Sequence, residues 1–128
     1  MLKTDRLSKT YNNGTVALGE VSLTVEPGEF LVVLGKSGSG KSTLMRCINR
    51  LVEPSSGSIF LDGEEVTGAS PKRLRELRKK TGMIFQQYNL IPQYSVQLNA
   101  LMGRLASTSS VASMMNCFSD EDVAHSRQ

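Results

Sequence analysis

The sequence has no tryptophan, two cysteines, one histidine and no long apolar run. Cys47 and Cys117 lie far apart without a Cys-x-x-Cys pair, and His125 stands alone, so the clustered ligands of a zinc site are missing. We expect both thiols to serve packing. No apolar stretch approaches the roughly 20 residues that span a bilayer, so no transmembrane helix is expected. Residues 1–6 do not lead into the apolar core of a secretory signal, and the cytoplasm is therefore the expected compartment.

The excess of positive charge, +3 overall, comes from one segment. Residues 72–80 are rich in lysine and arginine and contain the single acid Glu76. Ser70 suits a helix N-cap and Pro71 a first helical turn, so we expect a surface helix with a solvated basic face. Aromatic residues make up only 5% of the chain and do not alternate with the basic ones. The sequence therefore gives no indication of nucleic-acid binding.

The most informative stretch follows the apolar run 30–34 and matches the G-x-x-x-x-G-K-[ST] pattern of a phosphate-binding loop. Its residues, all candidate nucleotide contacts, are Gly35, Lys36, Ser37, Gly38, Ser39, Gly40, Lys41, Ser42 and Thr43. The three glycines lack Cβ atoms, so the backbone can turn its N–H groups inward on an anion. Lys41 would reach the β- and γ-phosphates of a nucleotide, the Ser42 hydroxyl would bind Mg²⁺, and Thr43 would add a phosphate donor.

The flanks of this loop favour the same interpretation. Leu44, Cys47, Ile48 and Leu51 are spaced to share one helix face, which predicts a helix whose positive end faces the phosphates. The run 30–34 predicts a buried strand in front of the loop. The competing interpretation is a Gly/Ser turn between a strand and a helix with no ligand.

The remaining pattern predicts an α/β domain with antiparallel pieces near its beginning. Further strands are expected at 17–25, 58–63 and 82–85, with a turn at 26–29. The polar stretch 106–116 predicts a loop or insertion, and Ser119 predicts the start of another helix.

Several of these features resemble the ATP-binding subunit of ABC transporters, from about Leu7 to Asp122. Leu7–Tyr11 with Thr15–Leu18 is similar to the segment of that family that binds adenine. The resemblance implies that Tyr11 stacks on the base and that Val16 packs nearby. It also implies a P-loop NTPase fold of the ABC-ATPase type, with an antiparallel β subdomain on the N-terminal side.

The stretch 83–92 is similar to the Q-loop region of the same family, and Gln86 matches its glutamine. The resemblance implies that Gln86 binds Mg²⁺ or orients the attacking water, and that Lys41 stabilises charge during ATP hydrolysis. A buried or solvated glutamine is the alternative. The amino-acid sequences of residues 46–54 and 103–119 are most similar to those of the phosphonate-import ATPases. The ATPase subunit of such importers does not contact the transported solute.

The family also implies features that this sequence does not show: an apolar strand ending in Asp-Glu, an L-S-G-G-Q signature and a switch histidine. We therefore expect an incomplete domain, with the nucleotide-binding core at 1–94 and the start of a helical subdomain at 95–128. Such a chain is expected to be marginally stable or prone to aggregation and unable to hydrolyse ATP alone.

Three functions remain open from the sequence. The first is an ATP-binding subunit that drives an importer, working as a homodimer with integral-membrane permease subunits on the cytoplasmic face of the membrane. It would serve phosphonates or another solute. The second is a module that binds nucleotide without catalysis. The third is a different phosphate-loop enzyme, such as a small-molecule kinase or GTPase, which leaves Tyr11, the turn at 54–57 and Gln86 unexplained.

Overall fold

The computed structural model describes residues 1–85, 89–103 and 118–126. The chain divides into two compact units, Met1–Gly82 and Met83–Gln128. The first unit carries the sheet and the phosphate-binding loop. The second contains helices of its own.

The first unit is built on one four-stranded antiparallel sheet in the order β2-β1-β3-β4. Its strands are β1 (Leu2–Thr10), β2 (Val16–Val25), β3 (Ser56–Leu61) and β4 (Glu64–Glu65). Strands β2 and β3 confirm the predicted strands at 17–25 and 58–63. The central strand β1 was not predicted, because its alternation of polar and apolar residues is incomplete.

Thr4 shows how a polar residue occupies the interior of this sheet. Its side chain is only 1% exposed, opposite Leu23 on β2 and Ile59 on β3. Its Oγ1 donates to the carbonyl of Val21 at 3.0 Å and accepts from the N–H of Leu23 at 3.1 Å. Both hydrogen-bonding roles of the hydroxyl are thereby satisfied, so its burial carries little penalty. The register shifts directly after this point, and Arg6 has a φ of 43°.

Helix α1 (Lys41–Ile48) begins at the loop, as predicted. Leu44 and Cys47 face inward and are 5% and 0% exposed, whereas Leu51 lies beyond the helix and is 49% exposed. Burial raises the pKa of the Cys47 thiol, so the thiol stays neutral and serves packing, as expected. The core of this unit consists of Leu7, Leu18, Leu44, Cys47, Ile59, Val66 and Leu77.

Helix α2 (Pro71–Arg78) confirms the predicted basic helix and its cap, since the Ser70 Oγ accepts from the N–H of Arg73 at 3.3 Å. Its basic residues are exposed, as expected, and one of them also binds backbone carbonyls. The Arg78 guanidinium donates to the carbonyl of Asn49 at 3.1 Å and to that of Arg50, just past the end of α1. Part of the positive charge therefore satisfies carbonyl groups that the helix leaves unpaired.

The predicted buried strand at 30–34 is wrong. Among the described residues no strand pairs with this run, and Phe30 and Leu34 are 90% and 87% exposed. The predicted strand at 82–85 is not formed either, and Ile84 is 92% exposed. Apolar runs of this kind become buried only when neighbouring strands and helices cover both faces. The described part of the chain supplies no such cover.

The second unit contains α3 (Val96–Met102) and a further helix, α4 (Asp120–His125). Ser119 caps α4 by accepting from the N–H of Asp122 at 3.1 Å, which confirms the predicted helix start. In α3, Asn99 fixes the preceding loop, since its Nδ2 donates to the carbonyl of Ile91 and its Oδ1 accepts from the Ile91 N–H. The stretch 106–116, expected to be a loop, lies outside the described residues. Within the described ranges, no helix is both long and apolar enough to cross a bilayer.

Candidate nucleotide-binding site

The phosphate-binding loop depends on glycine at positions where a side chain would not fit. Gly38 and Gly40 have φ angles of 77° and 91°, in the left-handed region that other residues rarely adopt. A Cβ on Gly40 would lie 2.2 Å from the backbone oxygen of Ala17 on β2. A Cβ on Gly35 would lie 2.6 Å from the Oγ of Ser39. Glycine is thus favoured at 40 by the close approach of β2 and by a left-handed backbone, and at 38 by the left-handed backbone alone.

The ammonium group of Lys41 lies within this turn. Its Nζ donates to the carbonyls of Gly35 and Lys36, each at 2.7 Å, and approaches the Oγ of Ser39 at 3.3 Å. These contacts keep a positive charge inside the loop. A phosphate that enters would replace neutral carbonyl partners of the ammonium by charged oxygens, which form stronger hydrogen bonds.

The end of α1 adds a second source of positive potential. Gly40 is the N-cap of the helix and has no side chain that could accept from the N–H groups of the first turn. Those groups stay available for an anion, and the helix dipole favours negative charge there. Ser42, exposed, and Thr43, half-buried, follow in the same turn.

Tyr11 reaches this loop from the hairpin between β1 and β2. Its hydroxyl oxygen lies 3.4 Å from Thr43 Oγ1. The Tyr11 N–H donates to the carbonyl of Thr15 at 2.9 Å, and the Gly14 N–H donates to the carbonyl of Tyr11 at 2.9 Å. The ring is 37% exposed and Val16 is 67% exposed, so both offer surface to a ligand.

These groups line one open cleft with about 600 Å³ of empty space, including the solvent at its mouth. Its lining consists of Tyr11, Thr15, Val16, Ala17, Gly38, Ser39, Gly40, Lys41, Ser42 and Thr43. The structure therefore brings Tyr11 and Val16 together with the second half of the loop. Gly35, Lys36 and Ser37 form the first half and are not part of this lining. Without that solvent the cavity volume is about 270 Å³, just below the roughly 300–1,000 Å³ of common ligand clefts.

Two residues of the cleft were located only as members of the Thr15–Leu18 segment and were given no role of their own. The Thr15 carbonyl accepts from the Tyr11 N–H, and the backbone oxygen of Ala17 lies against Gly40. The only available signal was their position in the hairpin beside Val16, because a contact made by the backbone does not constrain which residue type occupies the position. The predicted role of Gln86 lies outside the described residues.

A magnesium ion would find few ligands here. Within the described ranges there is no group of three or more His, Cys, Asp or Glu side chains that could hold a metal ion. The Ser42 hydroxyl lines the cleft and supplies one oxygen. A single protein oxygen is compatible with Mg²⁺, because this ion keeps several water ligands and binds through one or two protein groups plus the phosphates of a substrate.

The glycine-dependent loop, its lysine and the helix behind it define a nucleotide-binding class of protein. Residues 18–128 match the ABC transporter family, and the chain belongs to that family. Its resemblance to phosphonate-import ATPases is also confirmed. It is 50% identical to the phosphonates import ATP-binding protein PhnC of Bdellovibrio bacteriovorus, over 100% of this chain and 49% of that protein. The protein of that name from Lactobacillus acidophilus is 49% identical over 95% of this chain and 48% of its own length.

Solved structures support the same fold. A dimeric structure of a bacterial ABC transporter cassette matches 98% of this chain and 53% of its own, with a TM-score of 0.82 and 31% identity. A dimeric post-hydrolysis state of an ATP-binding cassette, bound to ADP and Pi, matches with a TM-score of 0.83 and 30% identity, over 99% of this chain and 54% of its own. The chain spans about half the length of the relatives it matches. The predicted fold class, an incomplete ABC-ATPase domain with an antiparallel N-terminal sheet, is confirmed.

Proposed function

We propose that this chain carries the ATP-binding half of an ABC importer's energy-coupling subunit. The observation that carries the proposal is the single cleft in which Tyr11 and Val16 face the loop residues Gly38–Thr43. An aromatic ring at one end and a cationic, glycine-lined turn at the other fit the two chemically different ends of a nucleotide.

Each end of the cleft has a defined task. Tyr11 stacks on the adenine and Val16 packs against it, which contributes about 1–3 kcal/mol by analogy with other base–aromatic contacts. Lys41 and the N–H groups of the loop and of α1 hold the phosphates. Ser42 would hold Mg²⁺ together with phosphate oxygens and water, and such an ion would supply positive charge beside the phosphates.

The solute and the partners are inferred from the relatives. Proteins named as phosphonate import ATP-binding proteins match almost the whole of this chain at 47–50% identity. We therefore assign phosphonate import, with an importer for another solute as the alternative. Two of the matching cassette structures are dimeric. This supports a homodimer that associates with permease subunits at the cytoplasmic face of the membrane.

Catalysis is assigned to residues that stabilise charge and position water. Lys41 would stabilise the transferring phosphoryl group, and Gln86 would contact Mg²⁺ or orient the attacking water. Without the strand ending in Asp-Glu, the signature and the switch histidine that the family uses, this chain alone would bind nucleotide without turnover. A binding-only module is the second candidate, and it shares the same cleft.

The test compares ATP binding by the wild-type chain with two charge-removing variants. Lys41→Ala removes the ammonium from the loop, and Arg46→Ala removes a positive charge from an exposed position of α1 outside the cleft. Calorimetric titration with Mg-ATP should show tenfold or greater loss of affinity, about 1.4 kcal/mol or more, for Lys41→Ala only. Equal affinities of the two variants, both folded by circular dichroism, would refute the phosphate-binding role. Neither candidate function predicts phosphate release from this chain alone, so steady release with ATP would contradict the expected lack of turnover.

A further inference from the structure

Lys9 connects the ring of Tyr11 to the chain that follows α1. Its Nζ lies over the Tyr11 ring, 5.3 Å from the ring centroid. The same ammonium donates a hydrogen bond to the carbonyl of Glu53 at 2.7 Å. One cation therefore contacts both the aromatic end of the cleft and a backbone group far away in sequence.

The backbone around this cation is held by additional hydrogen bonds. Ser55 donates its N–H to the carbonyl of Ser8 at 2.8 Å. Its Oγ accepts from the N–H of Thr10 at 3.0 Å and donates to the Thr10 carbonyl at 3.2 Å. The segment 53–55 is thus fixed against the end of β1, one residue before Tyr11. The Lys9 ammonium therefore binds a carbonyl of a segment that is itself hydrogen-bonded to β1.

We propose that Lys9 is a positioning residue for nucleotide recognition, acting through the ring of Tyr11. The ammonium covers one face of the ring by a cation–π contact and leaves the opposite face for a base. The contacts with Lys9 and Thr43 orient the Tyr11 ring before a ligand binds. Less side-chain entropy is therefore lost when the base stacks on the ring. This inference rests on the proposed function, because it assigns a role within that cleft.

The proposed role of Lys9 predicts different effects on the binding of the base and of the phosphates. Lys9 contributes to affinity for the base and not to affinity for the phosphates, which Lys41 and the loop amides hold. Replacing Lys9 by methionine keeps the apolar stem and removes the cation, and should weaken ATP binding about two- to fivefold. Binding of inorganic tripolyphosphate, which has no base, should not change. Lys9→Arg keeps a cation over the ring and should restore ATP affinity.

The experiment is a calorimetric titration of the full chain with Mg-ATP and, separately, with inorganic tripolyphosphate. The variants are Lys9→Met, Lys9→Arg, Tyr11→Ala and the double variant Lys9→Met/Tyr11→Ala. In the Tyr11→Ala background the effect of Lys9→Met on ATP binding should vanish, because the ring through which Lys9 acts is gone. Urea unfolding of each variant monitors stability.

Two results would overturn the proposal while leaving the proposed function intact. One is an equal loss of affinity for both probes in Lys9→Met, which means that the residue touches phosphate or only supports the fold. The other is an unchanged ATP affinity in Lys9→Met when Tyr11→Ala weakens it. A wild-type chain that binds neither probe, or a Lys41→Ala variant that binds both normally, refutes the proposed function and this inference with it.

Discussion

Replacing Gly40 by alanine should destabilise the phosphate-binding loop more than any comparable change within it. Gly40 has a φ of 91°, which costs an L-residue about 1–2 kcal/mol. The added Cβ would also lie 2.2 Å from the backbone oxygen of Ala17, so the loop or strand β2 must move. Overpacking of this kind costs roughly 1–3 kcal/mol. The expected loss in free energy of unfolding is therefore about 2–5 kcal/mol, a large part of the ~5–15 kcal/mol available to a domain.

Gly38 provides a matched control for this prediction. Its φ is 77°, but a Cβ there would meet no atom within 4 Å. Gly38→Ala therefore carries only the conformational cost, about 1–2 kcal/mol. The difference between the two variants isolates the contact with Ala17.

Urea unfolding monitored by far-UV circular dichroism measures both free energies on the same chain. We expect Gly40→Ala to lose at least about 1 kcal/mol more than Gly38→Ala and to bind Mg-ATP more weakly. Failure of Gly40→Ala to fold under conditions where Gly38→Ala folds also agrees with this reasoning. Equal unfolding free energies for the two variants, within about 0.5 kcal/mol, would contradict the steric argument.

Three further predictions concern polar contacts in the first unit. Arg50, whose side chain is 10% exposed, donates through Nη1 to the carbonyls of Val66 at 2.9 Å and Ala69 at 3.0 Å. Arg50→Ala should cost about 2–4 kcal/mol in urea unfolding because both carbonyls lose a charged donor, although that of Val66 keeps the N–H of Ala69 at 3.1 Å. Arg50→Lys should recover less than half of this loss, since an ammonium cannot reproduce the fork. Thr4→Val should cost about 1–3 kcal/mol by the same assay, while Thr4→Ser keeps the hydroxyl and should lose less; similar losses would argue against the hydrogen bonds. Arg73 donates to the Glu64 carboxylate and lowers its pKa. The pair therefore stabilises the fold at pH values above the ordinary glutamate pKa of about 4.3, and this stabilisation is lost as the pH falls through the lowered pKa. In Glu64→Gln, the free energy of unfolding should therefore depend less on pH in the acid range.

The features of this fold that local sequence signals determine were the most predictable. The caps at Ser70 and Ser119 follow from hydrogen bonds between residues three apart, so sequence alone locates both helix starts. Strand β1 was missed because its alternation of polar and apolar residues is incomplete and its interior holds Thr4, whose burial depends on partners supplied by β2. The run 30–34 was assigned to a buried strand because its composition is apolar, but burial depends on covering elements that composition cannot show.

The residues of the candidate site were likewise predictable only where a local sequence pattern identifies them. The loop glycines and Lys41 follow from a spacing that has a direct physical cause, so the pattern located them. Tyr11 was assigned to the site by the family resemblance and not by periodicity, and its 3.4 Å contact with Thr43, far away in sequence, was not predicted. Ala17 and Lys9 lie within the segment that the resemblance relates to adenine binding, but neither was given a role of its own. One acts through a backbone oxygen and the other through a ring contact, and neither interaction constrains residue type strongly enough to be seen in a single sequence.

The exposed run 30–34 marks the face at which this unit calls for further packing. Contiguous apolar surface is uncommon on folded monomers and marks a surface that another element or polypeptide covers. Phe30 and Leu34, at 90% and 87% exposure, directly precede the phosphate-binding loop in the sequence. Whatever packs on this run therefore also holds the segment by which the chain enters that loop.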